Sequence, residues 1–121
     1  MTDLSGKTAL ITGGRSGIGA AIAAAMEGAG ATVLTAQRGL DPARDSIEAD
    51  LADPTAPEKL VAEAISRLGQ LDILINNAGV MVEGTLLEMD AATWAQTLQV
   101  NLTAPAMLIK AALLHLMPPK A

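Results

Sequence analysis

Thr8-Ala9-Leu10-Ile11-Thr12-Gly13-Gly14-Arg15-Ser16-Gly17-Ile18-Gly19 decides how the rest of the chain reads. A run of aliphatic and β-branched residues passes through glycines straight into an alanine-rich stretch with helical spacing. That layout predicts a strand, a tight turn, and a helix whose first free N–H groups point back into the turn. A Cβ in such a turn would keep a phosphate off the backbone, and some positions of the turn need φ > 0. The helix start adds partial positive charge, so the expected guest is an anion.

Working outward, Lys7 to Gly13 predicts a strand buried on both faces, because its apolar run is continuous rather than alternating. Ser16 or Gly17 opens a helix with Ile18, Ile22, Ala25, Met26 and Ala29 on one stripe, ended by Gly28 and Gly30. Ala31 to Ala36 predicts a second buried strand. The polar stretch Gln37 to Asp45, with Gly39 and Pro42, is too short for a full crossover helix and is expected as one helical turn or a loop. Ser46 to Ala49 reads as a short third strand ending at Asp50-Leu51, and Asp53-Pro54 as a turn and helix start. Pro57 to Leu68 places Leu60, Val61, Ala64, Ile65 and Leu68 on one helix face, stopped by Gly69. Leu71 to Ile75 is the fourth and most hydrophobic strand, running into Asn76-Asn77-Ala78-Gly79. After a loop, Asp90 is the expected N-cap of a last helix, with Met89 and Trp94 spaced for a hydrophobic staple. That helix is expected from about Ala91 to Met117, stopping at Pro118-Pro119.

Strands alternating with helices predict right-handed βαβ units, hence an α/β fold with helices on both faces of a parallel sheet. The glycine turn makes the first crossover the dinucleotide-binding type. The expected architecture is therefore a Rossmann-type doubly wound sheet in the order 3-2-1-4. With 121 residues, half of them hydrophobic and 17% charged, the chain suffices for one domain, residues 1–121. The net charge is −5, with four Lys and four Arg scattered, so no basic stripe is available for a nucleic acid. The apolar runs read as broken well short of a membrane span, and nothing at the N-terminus reads as a signal peptide. With no Cys there is no disulfide or thiolate metal site, which together favours the cytoplasm. No metal site is expected.

These motifs, in this order, resemble the N-terminal half of the short-chain dehydrogenase/reductase family. The resemblance rests on Thr12-Gly13-x-x-x-Gly17-Ile18-Gly19, on Asp50-Leu51, on Asn76-Asn77-Ala78-Gly79 and on Asn101, and spans nearly the whole chain. It implies that Gly13, Ser16, Gly17, Ile18 and Gly19 line a cofactor pyrophosphate. Asp50 and Leu51 then border the adenine, and Asn77, Ala78 and Gly79 lie under the nicotinamide ribose. The glycines alone also permit tight helix–sheet packing, and Asp50 is equally a common strand-end cap. Asn76 reads as a residue that ties down neighbouring backbone.

Asn101 is marked from two directions. Pro105, four residues on, has no N–H, so the Asn101 carbonyl loses its helical partner and is free to hold a water. By resemblance, the matching Asn of the family holds a water in the proton relay to an active-site Lys. Pro105 also simply bends helices, so both readings stand.

At the end of the second strand, about 20 residues past the glycines, an acid would bind the adenosine 2′-hydroxyl and repel a 2′-phosphate. Here Gln37 and Arg38 stand instead. A guanidinium without a carboxylate attracts a 2′-phosphate. Arg15 adds a second positive charge, one place earlier than the base many family members carry. NADP(H) is therefore favoured over NAD(H), with Asp41 the residue best able to spoil the preference.

The family's chemistry uses a Ser, a Tyr and a Lys four residues after the Tyr, carried beyond the Asn-bearing helix. This chain contains no Tyr, and Pro118-Pro119-Lys120-Ala121 precede the expected fifth strand. The resemblance thus predicts a fold truncated before strand five, with the Ile73-Leu74-Ile75 edge open to pairing. Three readings follow. The chain is one part of an oxidoreductase acting on a small carbonyl or alcohol substrate, the rest lying in a separate C-terminal segment, and it is expected to associate with that segment or as a homo-oligomer. Otherwise it is a non-catalytic nucleotide-binding module, or a structural or interaction protein.

Overall fold

The computed structural model describes residues 2–117; the expected helix stop at Pro118-Pro119 lies outside them. Strands β1 (Thr8–Thr12), β2 (Thr32–Gln37), β3 (Ser46–Glu48) and β4 (Ile73–Ile75) form one parallel sheet. Their order is β3-β2-β1-β4, as the sequence predicts. Three helical segments cover it: α1 (Gly17–Gly28), α2 (Ala56–Leu68), and a long run made of α3 (Ala91–Leu98), a π turn (Gln99–Thr103) and α4 (Ala104–Leu116).

β1 is central, and its alternate residues serve opposite faces. Leu10 packs with Leu34, Ile47, Leu60, Leu108 and Ala112 under α2 and α4. Ala9 and Ile11 pack with Ala23 and Val33 under α1. Covering both faces is what a continuous apolar strand requires. Leu10 is fully buried, and truncating such a side chain to Ala costs about 2–5 kcal/mol. The 38–45 connection carries no helix, so β2 and β3 are joined by a loop.

Two expectations about helices are corrected. α1 fully buries Gly19 and Ala23, and Ile22 and Met26 of the expected stripe pack partly buried against the same cluster, while Ile18 is 74% exposed. The reason is steric: a Cβ on Gly19 would collide with the Gly13 carbonyl, so only the smallest residues can face the turn. The last helix is not uniform either. Pro105 cannot donate to the Asn101 carbonyl, and the ladder widens around that point, with the Ala104 N–H bonding back to the Gln99 carbonyl.

The run Ala91–Leu116 is also long and apolar enough, by length and composition, to cross a membrane, contrary to the reading of short broken runs. In this fold Val100, Ala104, Leu108 and Ala112 form its core-facing stripe. Met117, the residue before Pro118, is extended and ends the helix.

Candidate functional site

The chain leaves β1 toward β2 on one side and later returns to β4 on the other, so a crevice opens at the carboxyl ends of the strands. A cavity of about 330 Å³ lies there. Gly13 and Ser16 from the glycine turn, Gln37 and Arg38 from the end of β2, and Asp50 and Leu51 after β3 line it. Asn77, Ala78 and Gly79 after β4 complete that set. Four turns separated by up to 66 positions are thus brought to one cleft.

The glycine turn is shaped by close approach. Gly13 has φ 65°, and a Cβ there would stand 3.0 Å from Asn77 Nδ2. Asn77 Nδ2 donates to the Gly13 carbonyl at 3.0 Å. Ser16 is the N-cap of α1 in extended conformation, yet its side chain makes no capping bond. The Ala20 N–H bonds to the Ser16 carbonyl, which leaves the N–H groups of Gly17, Ile18 and Gly19 without helical partners.

Arg15, Gly17, Ile18 and Gly19 do not form the cavity walls. Gly17 (φ 58°) opens the helix and Gly19 packs against the turn. Arg15 folds over the neighbouring loop, donating from Nη1 to the Leu40 carbonyl at 3.4 Å. Asp50 has both of its expected characters: it lines the cleft, and its Oδ1 accepts from the Ala52 N–H at 3.0 Å. Asp41 is turned inward and is absent from the cavity lining.

At the end of β2, Gln37 Nε2 donates to the Gly39 carbonyl at 3.0 Å. Its Oε1 is buried with no donor among the described residues. Buried acceptors are normally satisfied, so this atom marks a place for a donor from outside the chain.

Thr12 belongs to the glycine motif, but sequence reasoning assigned it no role of its own. Its hydroxyl accepts from the Asn77 N–H at 3.1 Å and the Ala78 N–H at 3.0 Å, pinning the end of β4 to β1. Asn76 is a scaffold contact, donating to the Pro105 carbonyl at 3.5 Å. Asn101 does more than its carbonyl suggested. Its Oδ1 accepts from the Val80 N–H at 2.8 Å and its Nδ2 donates to the Val80 carbonyl at 2.7 Å. Val80, Gln96 and Val100 also line the cleft. Gln96 carried no sequence signal; Val100 could have been found from its place beside Asn101.

The family model for short chain dehydrogenase matches residues 7–121. The chain belongs to the short chain dehydrogenase family. Short-chain dehydrogenase/reductase FrzI of a Cladobotryum species is 36% identical over 126 residues, covering 93% of this chain and 49% of its own length. A short chain dehydrogenase of Burkholderia cenocepacia, solved in complex with NADP, superposes with a TM-score of 0.84 at 36% identity. That likeness covers 95% of this chain and 53% of the other. A blue fluorescent protein from a metagenomic library, solved with NADPH, gives 0.84 at 33% identity over 93% of this chain and 52% of that one. This short chain dehydrogenase sequence therefore spans about half the length of the curated relatives it matches.

Proposed function

We propose that residues 1–121 are the cofactor-binding part of an NADP(H)-dependent oxidoreductase acting on a carbonyl or alcohol. The observation that carries this reading is the end of β2: Arg38 lines the cleft, Arg15 lies over the adjoining loop, and the nearby acid Asp41 is turned away. The similar proteins solved with NADP or NADPH support it.

The residues present suit a dinucleotide. Left-handed Gly13 and Gly17 leave the turn bare, and the Ser16 hydroxyl is uncommitted. The unpaired N–H groups at Gly17, Ile18 and Gly19 would hold the pyrophosphate. Gln37 Oε1 would accept from a ribose hydroxyl. Asp50 and Leu51 would border the adenine, and Asn77, Ala78 and Gly79 the nicotinamide ribose. When bound, the cofactor supplies or accepts hydride.

Asn101 would serve the proton relay from its backbone carbonyl, while its side chain holds Val80. The phenol that the family uses for proton exchange is not among these residues, since the chain has no Tyr. The donor then comes from outside residues 1–121, and these residues alone are inactive. That same absence favours a second reading, a nucleotide-binding module without chemistry. Intact mass of everything in the sample separates the two: a second polypeptide carrying a Tyr-x-x-x-Lys segment supports the first, and a lone species of 12.3 kDa supports the second.

The cofactor reading is tested by titrating the protein with NADP and NAD, then repeating with Arg38→Ala. The parent should bind NADP more tightly. The variant should lose about 1.5–3 kcal/mol toward NADP, the range of a hydrogen bond to a charged group, and little toward NAD. Equal or NAD-favouring binding in the parent would sink the proposal.

A further inference from the structure

We propose that Asp41 is a positioning residue for 2′-phosphate recognition: it anchors the loop after β2 so that Arg38 faces the cleft in an ordered backbone. This rests on the NADP(H) reading above. An acid three residues past Arg38 reads on paper as a competitor for the phosphate. Its surroundings give it the opposite effect.

Asp41 is 6% exposed. Its Oδ2 accepts from the Thr35 hydroxyl at 3.2 Å and its Oδ1 from the Ala43 N–H at 2.9 Å. Its own N–H donates to Ser46 Oγ at 2.8 Å, at the start of β3. The Arg44 guanidinium stands 3.6 Å from Oδ2 and is bonded in turn to Glu27 of α1 at 2.9 Å. Taking a carboxylate out of water is costly unless it is paired and hydrogen-bonded, and this one is both. It therefore ties β2, β3 and α1 to one point.

The connection between β2 and β3 carries no helix to brace it, so this point takes over that task. Only residues 38–40 lie between Asp41 and the end of β2. Two of their carbonyls are already held, Gly39 by Gln37 at 3.0 Å and Leu40 by Arg15 at 3.4 Å. Gly39 adopts φ 94°, the sharp bend that lets the chain turn from the cleft to the buried anchor. Ordering this segment before binding lowers the entropic cost of placing the Arg38 guanidinium. Arg44 also offsets the Asp41 charge that would otherwise oppose the phosphate.

The test uses adenosine 2′,5′-bisphosphate and adenosine 5′-monophosphate, which differ only in the 2′-phosphate and need no catalytic group. Affinities are measured by calorimetry for the parent protein, Asp41→Ala, Asp41→Asn and Ser46→Ala, with circular dichroism as the folding control. The parent should prefer the bisphosphate. Asp41→Ala should cut that preference about tenfold, the loss of roughly one charge-assisted hydrogen bond, with the monophosphate little changed. Asp41→Asn, which can still accept from Ala43 and bond Thr35, should recover most of it. Ser46→Ala should move the preference in the same direction, and decides the matter if Asp41→Ala does not fold. A parent that prefers the bisphosphate while Asp41→Ala keeps the same preference overturns this proposal alone. So does equal loss for both ligands. A parent without preference overturns the NADP(H) reading and this proposal with it.

Discussion

The Thr12 hydroxyl serves two backbone N–H groups at once, those of Asn77 and Ala78. Thr12 is 1% exposed, so no water replaces it. Thr12→Val keeps the shape and strands both donors, each costing about 1–3 kcal/mol when left unsatisfied. A fall in unfolding free energy of that order, read as a lower denaturant midpoint with unchanged slope, is the expected result. A Thr in a β-strand carries no sign that its hydroxyl reaches across the sheet, which is why this role was silent in the sequence although Thr12 belongs to the glycine motif. Glycines and cleft-lining polar residues spoke more plainly, because their types are unusual where they stand. Gln37 and Arg38 occupy a strand end where an acid would exclude a 2′-phosphate. The inward turn of Asp41 depends on Thr35, Ser46 and Arg44 together, and no local pattern announces it.

At the scale of elements, the strands and α2 were legible because their apolar spacing and flanking Gly and Asp are local signals. Gly69 stops α2 in the left-handed conformation (φ 78°), and Asp90 caps α3 by accepting the Thr93 N–H at 2.7 Å. The expected stripe of α1 is present at Ile22 and Met26, which pack against the core, and fails at Ile18 beside the turn, which is exposed. Contact with the turn selects for small size there, not for hydrophobicity. The π turn was half legible: Pro105 disclosed a lost hydrogen bond, but not the extra residue that widens the ladder at Gln99–Thr103. Widening sets Asn101 to grip Val80 from both sides. Asn101→Ala should therefore release the Val80 amide, raising its hydrogen exchange about tenfold for each 1.4 kcal/mol lost, while exchange in β1 stays unchanged. Equal acceleration in β1 would mean that Asn101 only supports global stability.

For the whole molecule, acid sensitivity follows from carboxyls that bond backbone N–H groups. The Thr8 N–H holds Asp72 below its ordinary value of 3.8, with help from Gln70. The Thr93 N–H does the same for Asp90. A depressed folded-state pKa gives stability that is fully present above the unfolded value and is lost as pH falls through the folded one. Melting temperature should thus hold level above about pH 5 and drop below about pH 4. Asp72→Asn should lower the plateau and flatten that drop; a variant with the same acid limb as the parent would refute the assignment. The fold itself brings the glycine turn, the end of β2, the Asp50 turn and the Asn77 turn to one edge of a parallel sheet. A crystal structure of the protein with NADP bound tests that convergence most directly. The 2′-phosphate should lie within about 3 Å of the Arg38 guanidinium and the pyrophosphate on the N–H groups of Gly17, Ile18 and Gly19. A nucleotide seated elsewhere, or a 2′-phosphate turned to solvent away from Arg38, would contradict it.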